Sequence, residues 1–305
     1  MTGRGSFGGR RVLVTGASGF IGTHLTARLL AEGAEVHGIS RSERATVGMR
    51  WVTTNLTDAQ GLAAAVADIR PDVVFHLASH VTGSRDVEAV LPTLNDNLVG
   101  AVNLLLAAST AGCRRVVLTG SLEEPGGEEP EPDPVSPYAA AKFAASAYGR
   151  LFHRLYGLPV VNLRIFMVYG PGQHDERKLV PYVITSLLRN SPPRLSSGVR
   201  EVDWVYVDDV VDAFLAAAVS DGAVGETLDV GSGALVTVRG LVEQIVHVME
   251  PGVNPEFGAL PDRTAERVRV ADIGRTTRLT GWSPKTPLGE GIARTIEWFS
   301  SRGDR

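Results

Sequence analysis

The feature that most constrains this chain is an eight-residue run near its start, Thr15-Gly16-Ala17-Ser18-Gly19-Phe20-Ile21-Gly22, which joins a β-branched stretch (Arg11 to Thr15) to an amphipathic one (Phe20 to Glu32). A strand that passes straight into a helix through three evenly spaced glycines has few physical explanations. Gly16 permits the tight turn, Gly19 lets backbone N–H groups approach a pyrophosphate at the positive helix end, and Gly22 allows close packing of helix on strand. The run therefore predicts a dinucleotide seat that includes Ser18, Phe20 and Ile21. As a mere turn it would be unremarkable; the strand-to-helix context gives it meaning.

The rhythm continues downstream. A second strand is predicted over Glu35 to Ile39, and others over Asp72 to Leu77, Arg115 to Thr119 and Val160 to Arg164, each followed by a helical segment. Right-handed crossovers then wind a parallel sheet whose strand carboxyl ends line the ligand crevice. Beyond Arg164 the pattern loosens at Pro171, Gly172, Pro181, Pro192 and Pro193; Asp203 to Val207 and Thr227 to Val230 read as isolated strands, and Thr286 to Ser300 as a helix with Leu288, Ile292, Ile296 and Phe299 on one face. The expected fold is α/β, a doubly wound parallel sheet (Rossmann) with a smaller C-terminal α/β substrate domain. Residues 1–166 plus 206–232 are expected to form the first domain and 167–205 plus 233–305 the second. Glu123 to Pro137, with five glutamates, two glycines and five prolines, reads as a surface loop.

Bulk properties remove other classes. A 305-residue chain with 44% hydrophobic and 21% charged residues is globular, and a net charge of −4 gives no attraction for nucleic acid. The only cysteine, Cys113, has no disulfide partner and no second thiol for zinc, which fits a cytoplasmic location. Met1 to Arg11 lacks the apolar core of an export signal, and no run of about 18 apolar residues predicts a membrane span.

The second strand ends Ile39-Ser40-Arg41-Ser42-Glu43-Arg44. A ribose 2′-hydroxyl is usually held by a carboxylate here, whereas a 2′-phosphate needs cations and is repelled by an acid. Ser40, Arg41, Ser42 and Arg44 supply hydroxyls and guanidinium groups instead, which predicts NADP, with NAD as the alternative; the same arginines would also suit a solvated loop. Further on, Tyr138 and Lys142 lie four residues apart, so they share a helix face, with Pro137 suited to the first turn. An ammonium near a phenol favours the phenolate, so the pair can move a proton to or from a carbonyl oxygen that Ser121 can also hydrogen-bond.

Together with His76-Leu77-Ala78-Ser79, Asn97-Leu98-Val99-Gly100, Leu163 to Pro171, Trp204 to Val210, Gly281-Trp282-Ser283-Pro284 and Thr295 to Phe299, these motifs resemble the extended short-chain dehydrogenase/reductases, the nucleotide-sugar epimerase, dehydratase and ketoreductase family. The resemblance covers nearly the whole chain. It implies that Leu77, Ala78 and Ser79 line the cofactor, that Asn55 and Leu56 lie near the adenine, and that Asn97 supports Lys142. It also places Thr119, Tyr138 and Ile165 beside the dinucleotide, and Lys142 on the nicotinamide ribose. A homodimer through helices Asn97 to Ala111 and Tyr138 to Tyr156 is implied as well.

The chain also departs from that pattern. The usual V-Y-G after the catalytic serine is replaced by Ser121-Leu122-Glu123-Glu124-Pro125-Gly126, and Leu122 stands where dehydratases carry an aspartate. Glu123 keeps the second acidic place, as an acid–base group or as one more solvated loop acid. Met167 replaces an asparagine and Val202 an arginine that normally touch the nucleotide diphosphate, so Lys178, Leu179, Arg200 and Arg263 become the substrate-side candidates. The expected activity is NADPH-dependent reduction of the 4-keto group of a nucleotide-linked, dTDP-type keto-deoxysugar. The alternatives are an NAD-dependent 4-epimerase using the same residues and, from another class, a non-catalytic dinucleotide sensor.

Overall fold

In the computed structural model, which describes residues 6–125, 133–262 and 268–301, the glycine run joins β1 (Arg11–Thr15) to α1 (Phe20–Ala31). The chain continues through β2 (Glu35–Ser40), β3 (Met49–Thr53), α2 (Ala59–Ile69), β4 (Val73–His76), α3 (Val90–Thr93), α4 (Gly100–Thr110), β5 (Arg115–Ser121), α5 (Pro137–Tyr156) and β6 (Val160–Ile165). There follow β7 (Met167–Tyr169), α6 (Leu179–Leu188), β8 (Glu201–Tyr206), α7 (Val207–Val219), β9 (Thr227–Val230), β10 (Leu235–Thr237), α8 (Val238–Met249), α9 (Ile273–Thr280) and α10 (Leu288–Ser300).

Seven strands form one sheet in the order β3-β2-β1-β4-β5-β6-β9, with parallel pairing from β3 through β6. The order reverses between β1 and β4, and a ligand crevice opens outside the carboxyl ends of strands at such a switch point. Helices cover both faces, so Val12, Leu13 and Val14 of β1 are all fully buried rather than alternating. Leu13, Leu62, Leu104 and Leu105 share one core cluster with Phe152 of α5; each such side chain contributes about 2–3 kcal/mol of burial.

Two compact units emerge, the first 1–165, 211–229 and 274–282, the second 166–210, 230–273 and 283–305. The first takes in the segment 274–282, assigned above to the second domain, because Thr276 donates to the Asp229 carbonyl and Ser220 to that of Leu279. In the second unit β8 pairs parallel with β7 and antiparallel with β10. Asp203, buried in β8, accepts the N–H groups of Ser232, Gly233 and Ala271.

Three sequence expectations need correction. Thr227–Val230 is not isolated but edges the large sheet, where Gly225 donates to the Val160 carbonyl and Asn162 to that of Glu226. The strand expected over Asp203 to Val207 runs from Glu201 to Tyr206, because Val207 opens α7. One helical stretch, Val87–Thr110, is long and apolar enough by length and composition to cross a membrane; Leu104, Leu105 and Ala108 spend that apolar face in the core cluster with Leu62 and Val66 of α2.

Candidate active site

The glycine run is sterically obligatory. Gly16 has φ +71°, and a Cβ there would lie 2.6 Å from the Ala78 nitrogen and 2.7 Å from the Leu77 carbonyl carbon. A Cβ on Gly22 would fall 2.1 Å from the Gly16 oxygen. Helix α1 begins after Gly19 with no side-chain cap and no acid in its first turn, so its positive end is left to an external anion. Ser18 and Gly19 are exposed there, while Phe20 and Ile21 are half-buried. The chemistry of this end fits a dinucleotide pyrophosphate.

Beside the turn, Thr15 Oγ1 lies 2.7 Å from His76 Nδ1 and accepts the Ala78 N–H. Burial, aided by the Lys142 charge, pushes His76 down to about 3, so the imidazole is a neutral hydrogen-bonding group at physiological pH. At the end of β2, the Ser40 hydroxyl accepts from Ser42 N–H and from Arg44 Nε at 3.1 Å; Arg41, Ser42 and Arg44 are exposed. Asn55 Oδ1 accepts from Thr57 N–H, and the Leu56 carbonyl takes a hydrogen bond from Asn103.

The reactive end is built by β4, β5 and α5. Ser136 caps α5 by accepting the Ala139 N–H, and Pro137 fills the first turn, which aims Tyr138 and Lys142 from one helix face. The buried Tyr138 phenol is influenced by the Ser121 and Ser79 side chains. Ser79 in turn donates to Asn97 Oδ1 at 3.0 Å, and Asn97 both accepts from His80 N–H and donates to the His80 carbonyl. Asn97 sits in a π-helical turn, Leu94–Val99, a helix form that recurs at functional sites. Lys142 Nζ donates to the Thr119 carbonyl at 2.8 Å and lies 5.9 Å from the Tyr138 ring centre. Ile165, at the end of β6, is buried and pairs in register with Ser121.

Electrostatically, burial dominates both members of the pair. It pushes the Tyr138 phenol above its ordinary value, with Glu123 and Glu124 acting in the same direction and the Ser121 and Ser79 hydrogen bonds against it. It brings Lys142 down to about 8, with Glu124 opposing. The sequence reading considered only the ammonium's pull on the phenol; desolvation of the charged forms is the larger influence in this enclosed site.

The start of the supposed surface loop is also different. Glu123 is half-buried: its N–H reaches the Ser121 hydroxyl and its carboxylate accepts from Ser136. Glu124 is only 2% exposed, and its Oε1 accepts the Ser121 N–H at 2.7 Å. Nothing in an acid-rich stretch distinguishes this glutamate from its neighbours, so sequence reasoning missed it. Residues 126–132 of the loop lie outside the described residues, as does Arg263. Met167 starts β7 opposite Trp204, Lys178 and Leu179 lie at the N-terminus of α6, and Arg200 directly precedes β8; all four belong to the second unit.

The NAD dependent epimerase/dehydratase family model matches residues 12–231. This chain is a member of that family. It is 35% identical to a UDP-glucose 4-epimerase of Mycolicibacterium smegmatis over 96% of its own length and 99% of the relative's. Among solved structures it is similar to the UDP-glucose 4-epimerase of Thermotoga maritima with UDP-glucose, at a TM-score of 0.87 and 28% identity, covering 95% of this chain and 98% of the other. It is also similar to the Thermus thermophilus UDP-glucose 4-epimerase in complex with NAD, at a TM-score of 0.84 and 32% identity, covering 96% and 99%.

Proposed function

We propose that this protein is a nucleotide-sugar 4-epimerase. The observation that carries the reading is the convergence of buried Tyr138 and Lys142, four residues apart on α5, with Ser121 at the carboxyl end of β5, where Lys142 donates to the Thr119 carbonyl. The whole-length similarity to UDP-glucose 4-epimerases supports this reaction over the reduction expected from the sequence. A nicotinamide dinucleotide would be held by Gly16, Gly19 and the first turn of α1, by Ser40 and its arginines, and by Lys142. When bound, it supplies the hydride acceptor and donor for C4. Tyr138 removes the proton from the C4 hydroxyl and returns it to the ketone oxygen after the sugar turns its other face. Ser121 hydrogen-bonds that oxygen throughout, and Lys142 supplies positive charge beside it. Within the second unit, Lys178 and Arg200 are the cations whose chemistry suits a diphosphate.

The second reading, an NADPH-dependent 4-ketoreductase, rests on the end of β2, where Ser40, Arg41 and Arg44 replace the acid expected for NAD. Incubation of the purified protein with UDP-glucose, with products separated by chromatography and bound nucleotide released by denaturation, tests the proposal. Interconversion of two C4 epimers with NAD retained is the expected result. Stoichiometric NADPH oxidation with a dTDP-4-keto-6-deoxyhexose and no epimerisation would overturn it in favour of the reductase.

A further inference from the structure

The carboxyl end of β5 is gripped by two opposite charges. On one side Lys142 donates to the Thr119 carbonyl at 2.8 Å; on the other Glu124 accepts the Ser121 N–H at 2.7 Å. Between these anchors is Gly120, where a Cβ would fall 2.4 Å from Glu124 Oε1, so the carboxylate occupies the space that the missing side chain leaves. Glu124 is 2% exposed and also takes a hydrogen bond from the Ser146 hydroxyl, one helical turn beyond Lys142 on α5. A buried carboxylate is retained only where charge and hydrogen bonds compensate its desolvation. The charged and titratable groups facing it are Lys142 and Tyr138 from α5, Arg164 from β6, itself paired with Asp229 of β9 at 3.3 Å, and Glu123 from its own turn.

We propose that Glu124 is a positioning residue that fixes the Ser121 backbone and faces Lys142 across the same strand end, so that its carboxylate acts on the lysine as well as on the serine. This assignment rests on the reading of Ser121, Tyr138 and Lys142 as the reacting constellation. It goes beyond that reading because Glu124 acts through Ser121 and Lys142.

The chain has only three lysines, Lys142, Lys178 and Lys285, so a protein carrying 13Cε-lysine gives three resolvable NMR signals, assigned with K178R and K285R. In the wild type the Lys142 signal is expected to titrate near 8, because burial lowers it from the ordinary lysine value. E124Q keeps an acceptor for Ser121 N–H but removes the charge, and it is expected to lower the Lys142 midpoint by about one pH unit while Lys178 and Lys285 stay fixed. E124D is expected to return the midpoint toward the wild-type value. An unmoved Lys142 in E124Q overturns the proposal, even if turnover falls, because a merely structural role changes rate without moving that titration.

If E124Q does not fold, the wild-type protein decides. Its Lys142 signal is expected to show a second inflection, above the ordinary carboxylate range, as Glu124 takes up a proton; a single-step titration overturns the assignment. The titration needs no substrate, so a protein inactive on every nucleotide sugar would defeat the proposed reaction and leave Glu124 to be judged separately.

Discussion

In the proposed reaction turnover depends on Tyr138. Tyr138→Phe keeps the ring and removes the proton, and turnover is expected to fall about 10²- to 10⁴-fold with dinucleotide content unchanged, measured by product chromatography and by absorbance of the released nucleotide. His76 makes a stability prediction. Its folded pKa is depressed to about 3 from 6.5, so between those values the unfolded chain binds a proton that the folded chain does not. Stability contributed by the neutral ring is therefore present above pH 6.5 and is lost as pH falls toward 3, by roughly 3–5 kcal/mol. His76→Asn, which can still bond Thr15, is expected to flatten that dependence in urea titrations at stepped pH. The convergence of Ser121, Tyr138 and Lys142 that the proposal uses could be read from the sequence because their spacing is set by one helix and one strand end. Glu124 could not be, since burial of an acid depends on Gly120, Ser146 and Arg164, which no local pattern joins to it.

Among the elements, α1 and α7 make opposite use of their ends. The N-terminus of α1 has no side-chain cap, and Gly22→Ala would drive a methyl into the Gly16 carbonyl; a loss of about 3 kcal/mol or more and, on the proposed dinucleotide seat, of dinucleotide retention is expected in chemical denaturation and nucleotide release. The C-terminal end of α7 is capped by Arg115 of β5, buried to 6% exposure, which donates to the carbonyls of Ala217 and Ser220 and to Asp221. Arg115→Met is expected to cost about 2–4 kcal/mol, read from the denaturation midpoint, with the surroundings of Tyr138 untouched. Legibility at this scale followed burial on both faces. The runs Arg11–Thr15 and Val160–Ile165, nearly continuous in apolar residues, were found within a residue. Met49–Thr53, an edge strand of mixed exposure, carried neither an apolar run nor a clean alternation and was missed.

For the whole molecule, the family resemblance implied pairing of two copies through α4 and α5, and we retain that as a proposal. Leu106 is 51% exposed and Leu155 64%, and Tyr148, Leu151 and Tyr156 are also exposed on those helices, more apolar surface than isolated solvent-facing residues require. Light scattering is expected to give twice the 32.4 kDa chain mass, and Leu106→Glu with Leu155→Glu is expected to give the single-chain mass. The division into two units was only partly visible beforehand, because the return of 274–282 to the first depends on hydrogen bonds to α7 and β9 rather than on composition. The π-helical turn at Leu94–Val99 has a genetic consequence. A turn that is one residue too wide returns to ordinary pitch when one residue is deleted, and each residue of an α-helix accounts for about 100° of rotation. An in-frame loss of a single codon within it would leave the helix intact and swing Asn97 away from the Ser79–His80 segment. Such an allele would pass a screen for folded protein and fail one for turnover.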